Sequence, residues 1–194
     1  MRYRLIIEYN GAEFCGWQSQ ADGRAVQDAL QEAIKSFCGE TATVYGAGRT
    51  DSGVHARGQV GHIDLESAPK PDRVRDGINF YLRPSPVAVR EAFYARADFD
   101  ARFSALARHY RYRIISRRAP VVLARDQAWW VPQPLDVAAM REAGQYLLGK
   151  HDFSTFRASQ CQANSPVRTL DVLDVSGGDD GVDIVARARS FLHS

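Results

Sequence analysis

The hydrophobic patterning of the first hundred residues runs strand, helix, strand, strand, helix, strand. This order predicts an α+β fold on the split βαβ plan of a ferredoxin-like domain. A second series of strand and helix patterns begins after Asp98 and starts to repeat that plan, without a visible sequence repeat. The 194 residues are therefore read as two ferredoxin-like domains with antiparallel sheets, 1–98 and 99–194. Such a sheet carries both helices on one face and leaves the other open to a ligand.

The first strand is read from Tyr3, Leu5, Ile7 and Tyr9, which alternate with Arg2, Arg4, Ile6 and Glu8, and Asn10-Gly11 turns the chain. Val26, Leu30, Ala33, Ile34 and Phe37 form a helical stripe within 24–37, with Asp22 or Gly23 as the expected cap and Gly39 as the stop. A short apolar run, 42–47, precedes a strand in which Val60, His62 and Asp64 oppose Gln59, Gly61, Ile63 and Leu65. Pro69 and Pro71 open a second helix with Val74, Ile78, Tyr81 and Leu82 on one side, and Pro84 and Pro86 end it. A strand over 87–94 follows. In the second half Tyr110, Tyr112 and Ile114 alternate with His109, Arg111 and Arg113, so one strand face is aromatic and the other basic. The stretch 119–134 reads as a loop with an apolar patch at Trp129-Trp130. Asp136 is placed to cap a helix bearing Val137, Met140, Leu147 and Leu148, which Gly149 stops. Segments 167–175 and 182–192 read as a hairpin pair.

Composition excludes more than it selects. An apolar share of 45% with 25% charged residues is ordinary for a globular chain, and a net charge of +2 does not by itself point to nucleic acid. The distribution is more informative. Residues 96–118 hold seven arginines against two aspartates, while 171–183 hold five aspartates and no basic residue. That asymmetry suits one polyanion-facing surface, although a solvated face would look the same. Three widely spaced cysteines without a Cys-x-x-Cys pair argue against a disulfide framework or a zinc knuckle. No signal-like or membrane-length apolar run follows Met1, which leaves a cytoplasmic location as the expectation.

The segment Gly46-Ala47-Gly48-Arg49-Thr50-Asp51-Ser52-Gly53-Val54-His55 holds the candidate chemistry. Aspartate before Ser-Gly is an ordinary turn former. Against that reading, Arg49 lies two residues away and could hold the Asp51 carboxylate ionised, and the glycines let backbone approach a ligand. An ionised, rigidly held aspartate serves as nucleophile or base, and the spacing does not choose. An aspartic-protease reading fails for want of a second Asp-Ser/Thr-Gly, and a phosphate loop for want of Gly-Lys-Ser/Thr.

Gly-Arg-Thr-Asp-Ser-Gly-Val-His-Ala followed by Gly-Gln-Val resembles the signature of the tRNA pseudouridine synthase A family. Phe14-Cys15-Gly16-Trp17-Gln18, Ala101-Arg102-Phe103-Ser104-Ala105, His109-Tyr110-Arg111-Tyr112 and Asp152-Phe153-Ser154-Thr155-Phe156-Arg157-Ala158 occur in the order that family has them. The resemblance implies isomerisation of uridine to pseudouridine in the anticodon stem-loop of tRNA, at positions 38–40, without metal or organic cofactor, by a homodimer. It implies that Asp51 is the catalytic residue and that the two sheets form an RNA-binding cleft. It matches Tyr110 to the tyrosine that contacts the substrate. Phe14 and Trp17 pack in the core or shape the cleft. Arg49 then orients the phosphodiester or fills the space of the flipped base, and His55 is a candidate substrate contact or a hydrogen-bonding loop residue. Arg108, Arg111 and Arg113 are candidates for phosphate contacts and Phe156 and Arg157 for RNA contacts. On their alternation alone Tyr110 and Tyr112 could both be sheet core, Tyr112 above all, and Phe153 and Phe156 could equally be core. The pattern also implies a further C-terminal helix whose arginine meets the aspartate; the chain stops at Ser194, so the second domain is expected to lack its closing helix. A catalytically silent RNA-binding module is the alternative.

Overall fold

A computed structural model describes residues 1–21, 23–158, 161 and 163–192. The chain divides into two compact units, Met1–Ala105 and Leu106–Ser194. The architecture is α+β, with one sheet in each unit.

In the first unit β1 (Arg2–Tyr9), α1 (Val26–Cys38), β2 (Tyr45–Gly46), β3 (Ala56–Asp64), α2 (Pro71–Leu82) and β4 (Val87–Tyr94) follow in order. The sheet order is β2-β3-β1-β4, with every neighbouring pair antiparallel. Alternation in β1 decides which face is buried: Tyr3, Leu5, Ile7 and Tyr9 point into a core completed by Val26, Leu30 and Ile34 of α1 and by Val74, Ile78 and Leu82 of α2.

Several local expectations need correction. The N-cap of α1 is Ala25, not Gly23, because the Asp28 carboxylate reaches back to accept from the Ala25 N–H at 3.1 Å. The proposed cap at Asp22 lies outside the described residues. Gly39 ends the helix in the left-handed conformation, as expected (φ 76°). Tyr81 is exposed rather than part of the buried stripe of α2, since Val74, Ile78 and Leu82 already complete it. The open face of the sheet is also less open than its pattern suggests. His62, only 3% exposed, stacks on Tyr45, meets the edge of Phe99, and accepts a hydrogen bond from the Ala101 N–H at 3.0 Å. Residues 97–101 therefore fold back over that face, and Arg2 ties them down by donating to the carbonyls of Ala97 and Phe99.

The second unit contains β5 (Arg108–Ser116), β6 (Trp129–Val131), α3 (Val137–Gln145), β7 (Gly149–Asp152), β8 (Val167–Gly178) and β9 (Gly181–Ala188) in the sheet order β6-β5-β9-β8-β7. The segment read as a loop thus contains a strand: Trp129–Val131 runs parallel to Ile114–Ser116, and the Trp130 indole donates to the Arg117 carbonyl. Asp136 caps α3 as expected, accepting from the Ala139 N–H at 2.9 Å. The helix ends at Gln145, so Leu147 and Leu148 belong to the turn before β7. The β8–β9 hairpin closes through Asp179-Asp180 and ends at Ala188, short of Leu192. Its core is small: Ile114, Val175 and Val182, with Val137 and Met140 of α3 packed against them.

Candidate active site

Strand β3 and the two-residue β2 hold the ends of the Asp51 loop. Gly46 pairs with Gly61, and the Ala47 N–H donates to Val60 at 2.8 Å. Between them the loop is tied at four points. The Thr50 carbonyl accepts from the Trp17 N–H at 3.0 Å, and its hydroxyl bonds the Tyr9 hydroxyl at 2.8 Å. The Ser52 hydroxyl donates to the Phe14 carbonyl at 3.1 Å. His55 Nδ1 accepts from the Gly11 N–H at 3.2 Å, which places that ring's proton on Nε2. The Gln59 amide donates to the Gly48 carbonyl at 2.8 Å. Both neighbours of Asp51 are therefore fixed to the β1–α1 connection, and a turn from Asp51 C=O to Val54 N–H (3.2 Å) fixes Asp51 itself.

The floor beneath the loop explains residues that a sequence pattern cannot assign. Phe14 and Trp17 are 3% and 2% exposed, so they are core side chains whose backbone groups hold the loop. A Cβ on Gly46 would lie 2.7 Å from the Trp17 ring, and one on Gly11 would lie 2.1 Å from the Val54 carbonyl oxygen. Asp51 stands exposed at the top of this braced loop. Arg49 is also exposed, two residues before Asp51 on the same loop. Rigidity here comes from hydrogen bonds to Thr50, Ser52 and His55. Sequence reasoning missed Tyr9 and Gly11 as loop supports, because a strand-end tyrosine and a turn glycine carry no distinguishing signal.

The other site candidates lie in the second unit. Tyr110 sits on β5 opposite Ala186, 39% exposed, with its ring edge-on to Phe191 at 4.9 Å between centroids. Tyr112 shares that face and is 55% exposed, so it is not the sheet-core residue that alternation suggested. The helix α3 packs at the Val175–Val182 end of the sheet and does not bury it. Arg108 donates to the Arg189 carbonyl. Arg111 makes a bidentate pair with Asp183 at 2.7 and 2.9 Å, and Arg113 lies 3.6 Å from Asp180. Phe156 is exposed, with its ring edge-on to Phe153. Arg157 folds inward and donates to the carbonyls of Cys161 and Ala163 at 2.9 and 2.7 Å, so it closes its own loop.

No helix among the described residues is long and apolar enough to cross a membrane. A family model described as tRNA pseudouridine synthase matches residues 5–104 and 143–194, which takes in both the Asp51 loop and the β8–β9 hairpin. The chain is 56% identical over 193 residues to the tRNA pseudouridine synthase A of Parvibaculum lavamentivorans, covering all of this chain and 78% of that protein. It is 58% identical over 192 residues to the proteins of that name from Xanthobacter autotrophicus and Azorhizobium caulinodans, covering 99% of this chain and 78% and 74% of theirs. With matches of this length at both ends and a braced, exposed aspartate in the signature loop, the chain belongs to the tRNA pseudouridine synthase family.

Proposed function

We propose that this protein isomerises uridine to pseudouridine in tRNA, within the anticodon stem-loop at positions 38–40, with Asp51 as the catalytic residue. The observation that carries the reading is the braced loop: an exposed carboxylate whose two neighbours are hydrogen-bonded to a buried floor. The reaction breaks the C1′–N1 bond, turns the base, and forms a C1′–C5 bond; N1 gains a proton and C5 releases one to solvent. Electrons and atoms balance without an oxidant or a water, so the chemistry calls for no redox or hydrolytic cofactor. Asp51 acts at the sugar, either by attacking C1′ or by removing a ribose proton, and both routes need a carboxylate held in place.

The target base must leave its stack, and Tyr110 supplies an exposed ring on which it is received. Arg49, exposed beside Asp51, orients the phosphodiester or fills the vacated space, while His55 serves the loop through its bond to Gly11. Arg108, Arg111 and Arg113 supply positive charge for the backbone, with Phe156 as a further exposed contact. Arg157 acts at one remove by shaping its loop. The antiparallel order β2-β3-β1-β4, with α1 and α2 sharing the core of one face, supports a ferredoxin-like plan for the first unit. A homodimer is the expected assembly.

Tritium release from tRNA labelled at uridine C5, measured beside filter binding of the same tRNA, tests this directly. Release by the wild type and none by Asp51→Ala, with affinity within a few-fold, is the expected result. Undiminished release by D51A would overturn the assignment of Asp51. Tight binding without any release by the wild type would leave an RNA-binding module in place of an enzyme.

A further inference from the structure

The second unit has a hollow of about 360 Å³ at the end of its sheet where β7, β8 and the residues after β9 meet. Lys150, Arg168 and Arg189 line it, with the hydroxyls of Thr169 and Ser190 and a single carboxylate, Asp171. Three cations against one anion leave the lining doubly positive. Lys150 and Thr169 are cross-strand partners on β7 and β8, so sheet pairing holds the ammonium beside the hydroxyl.

Arg168 distinguishes this hollow from an ordinary basic surface. Its Nη1 donates to the carbonyls of Ser165 and Val167 at 2.8 and 2.7 Å, which fixes the guanidinium. Its Nε is buried and has no hydrogen-bond acceptor among the described residues. A buried donor left unmade is costly, and an anionic oxygen is the kind of group that would satisfy it beside a positively lined hollow. The opposite side is fixed too, because Arg108 donates to the Arg189 carbonyl.

We propose that this hollow is a phosphate-binding site that holds a phosphodiester of the bound tRNA near the target uridine. The inference rests on the tRNA substrate proposed above and adds to it a contact point that charge patterning does not reveal. Tyr110 pairs with Ala186, and Arg189 follows three residues on. At ~3.3 Å per strand residue the two positions are about 10 Å apart along the strand, a distance on the scale of neighbouring nucleotides. Guanidinium and ammonium groups with two hydroxyls suit the tetrahedral oxygens of a phosphate.

The test has an arm independent of RNA. In ¹H–¹⁵N spectra of arginine side chains, titration with inorganic phosphate at constant ionic strength should move the Arg168 Nε–H resonance saturably. Lys150→Ala with Arg189→Ala should weaken that response at least fivefold. R168K, which keeps the charge and removes the Nε–H, should weaken phosphate binding as well. An Arg168 signal that phosphate leaves unmoved overturns the site. In the second arm, K150A/R189A should bind tRNA about five- to tenfold more weakly and flatten the dependence of log K on log salt by one to two contacts. A matched loss of charge on the helices of the first unit, K35A/K70A, should leave that slope unchanged. Phosphate binding with unaltered tRNA affinity would assign the hollow to free phosphate and overturn the RNA contact. Absence of pseudouridine formation by the wild type would sink the proposed function alone, and the phosphate arm would still decide the site.

Discussion

The two units solve the same problem to different depths. In the first, two helices pack a deep core against one face of the sheet, and residues 97–101 cover part of the other through His62 and Arg2. In the second, α3 covers one end of a five-stranded sheet, and the buried cluster beneath it is Ile114, Val175 and Val182. Tyr110 and Tyr112 stay exposed on the same face as Ile114. The difference teaches how the proposed work is divided. A carboxylate that must be held within tenths of an ångström sits on the deeply packed unit, whereas aromatic and basic groups that would follow a nucleic-acid backbone sit on the loosely covered one.

The comparison breaks most sharply at Asp51. D51A should abolish pseudouridine formation while tRNA affinity changes only a few-fold, because a carboxylate facing a polyanion contributes chemistry and not attraction; retained turnover would remove the first unit from the reaction. Next in size is Gly11→Ala. Its Cβ would fall 2.1 Å from the Val54 carbonyl oxygen and force the loop off its floor. We expect a loss of about 2–3 kcal/mol in urea unfolding and at least a tenfold drop in kcat, with tRNA affinity nearly unchanged. Normal kcat would show that the bracing of the loop is unimportant.

Core depth itself can be measured. Leu30→Ala opens a cavity among fully buried side chains and should cost about 3–4 kcal/mol, whereas Val182→Ala, in a three-residue cluster, should cost about 1–2 kcal/mol. Equal losses would erase the distinction between the units. On the binding side, Arg111 is already paired with Asp183, so its charge is partly spent within the sheet. Asp183→Asn should therefore strengthen tRNA binding about two- to threefold at low salt, and an unchanged affinity would exclude Arg111 from the RNA surface.

The smallest effect concerns pH. Burial holds the His62 imidazole below its ordinary pKa, and the nearby Arg2 guanidinium adds to this, opposed by Asp100 and Asp64; the rings of Tyr45 and Phe99 pack against it. The neutral ring accepts from Ala101, and protonation costs that bond. A base whose folded pKa is depressed contributes stability that is complete above its unfolded value, near 6.5, and is lost as pH falls toward the folded value. Wild type should lose stability in the first unit as pH falls below about 6.5, and His62→Asn should flatten that slope. Identical slopes would refute a role for His62 in holding residues 97–101.

Much of this molecule was legible in its sequence. Strict alternation placed Tyr3, Leu5, Ile7 and Tyr9 on the buried face of β1, and paired prolines bracketed α2, because period and backbone chemistry act locally. The loop holding Asp51 was equally visible from its glycines and its family signature. Contacts between residues distant in sequence were not. Alternation states which side chains share a face and is silent on whether anything covers it, so Tyr112 reads as core and is open, while His62 shares a face with Asp64 and is buried. The three-residue strand Trp129–Val131 depends on its pairing with β5 and has no period of its own. Likewise the bonds from Tyr9, Phe14, Trp17 and Gly11 to the Asp51 loop, and the meeting of Lys150, Arg168 and Arg189, exist only once the sheets have formed. Local pattern determined the elements and the loop that carries Asp51; packing across tens of residues decided how firmly that loop is held and where positive charge gathers.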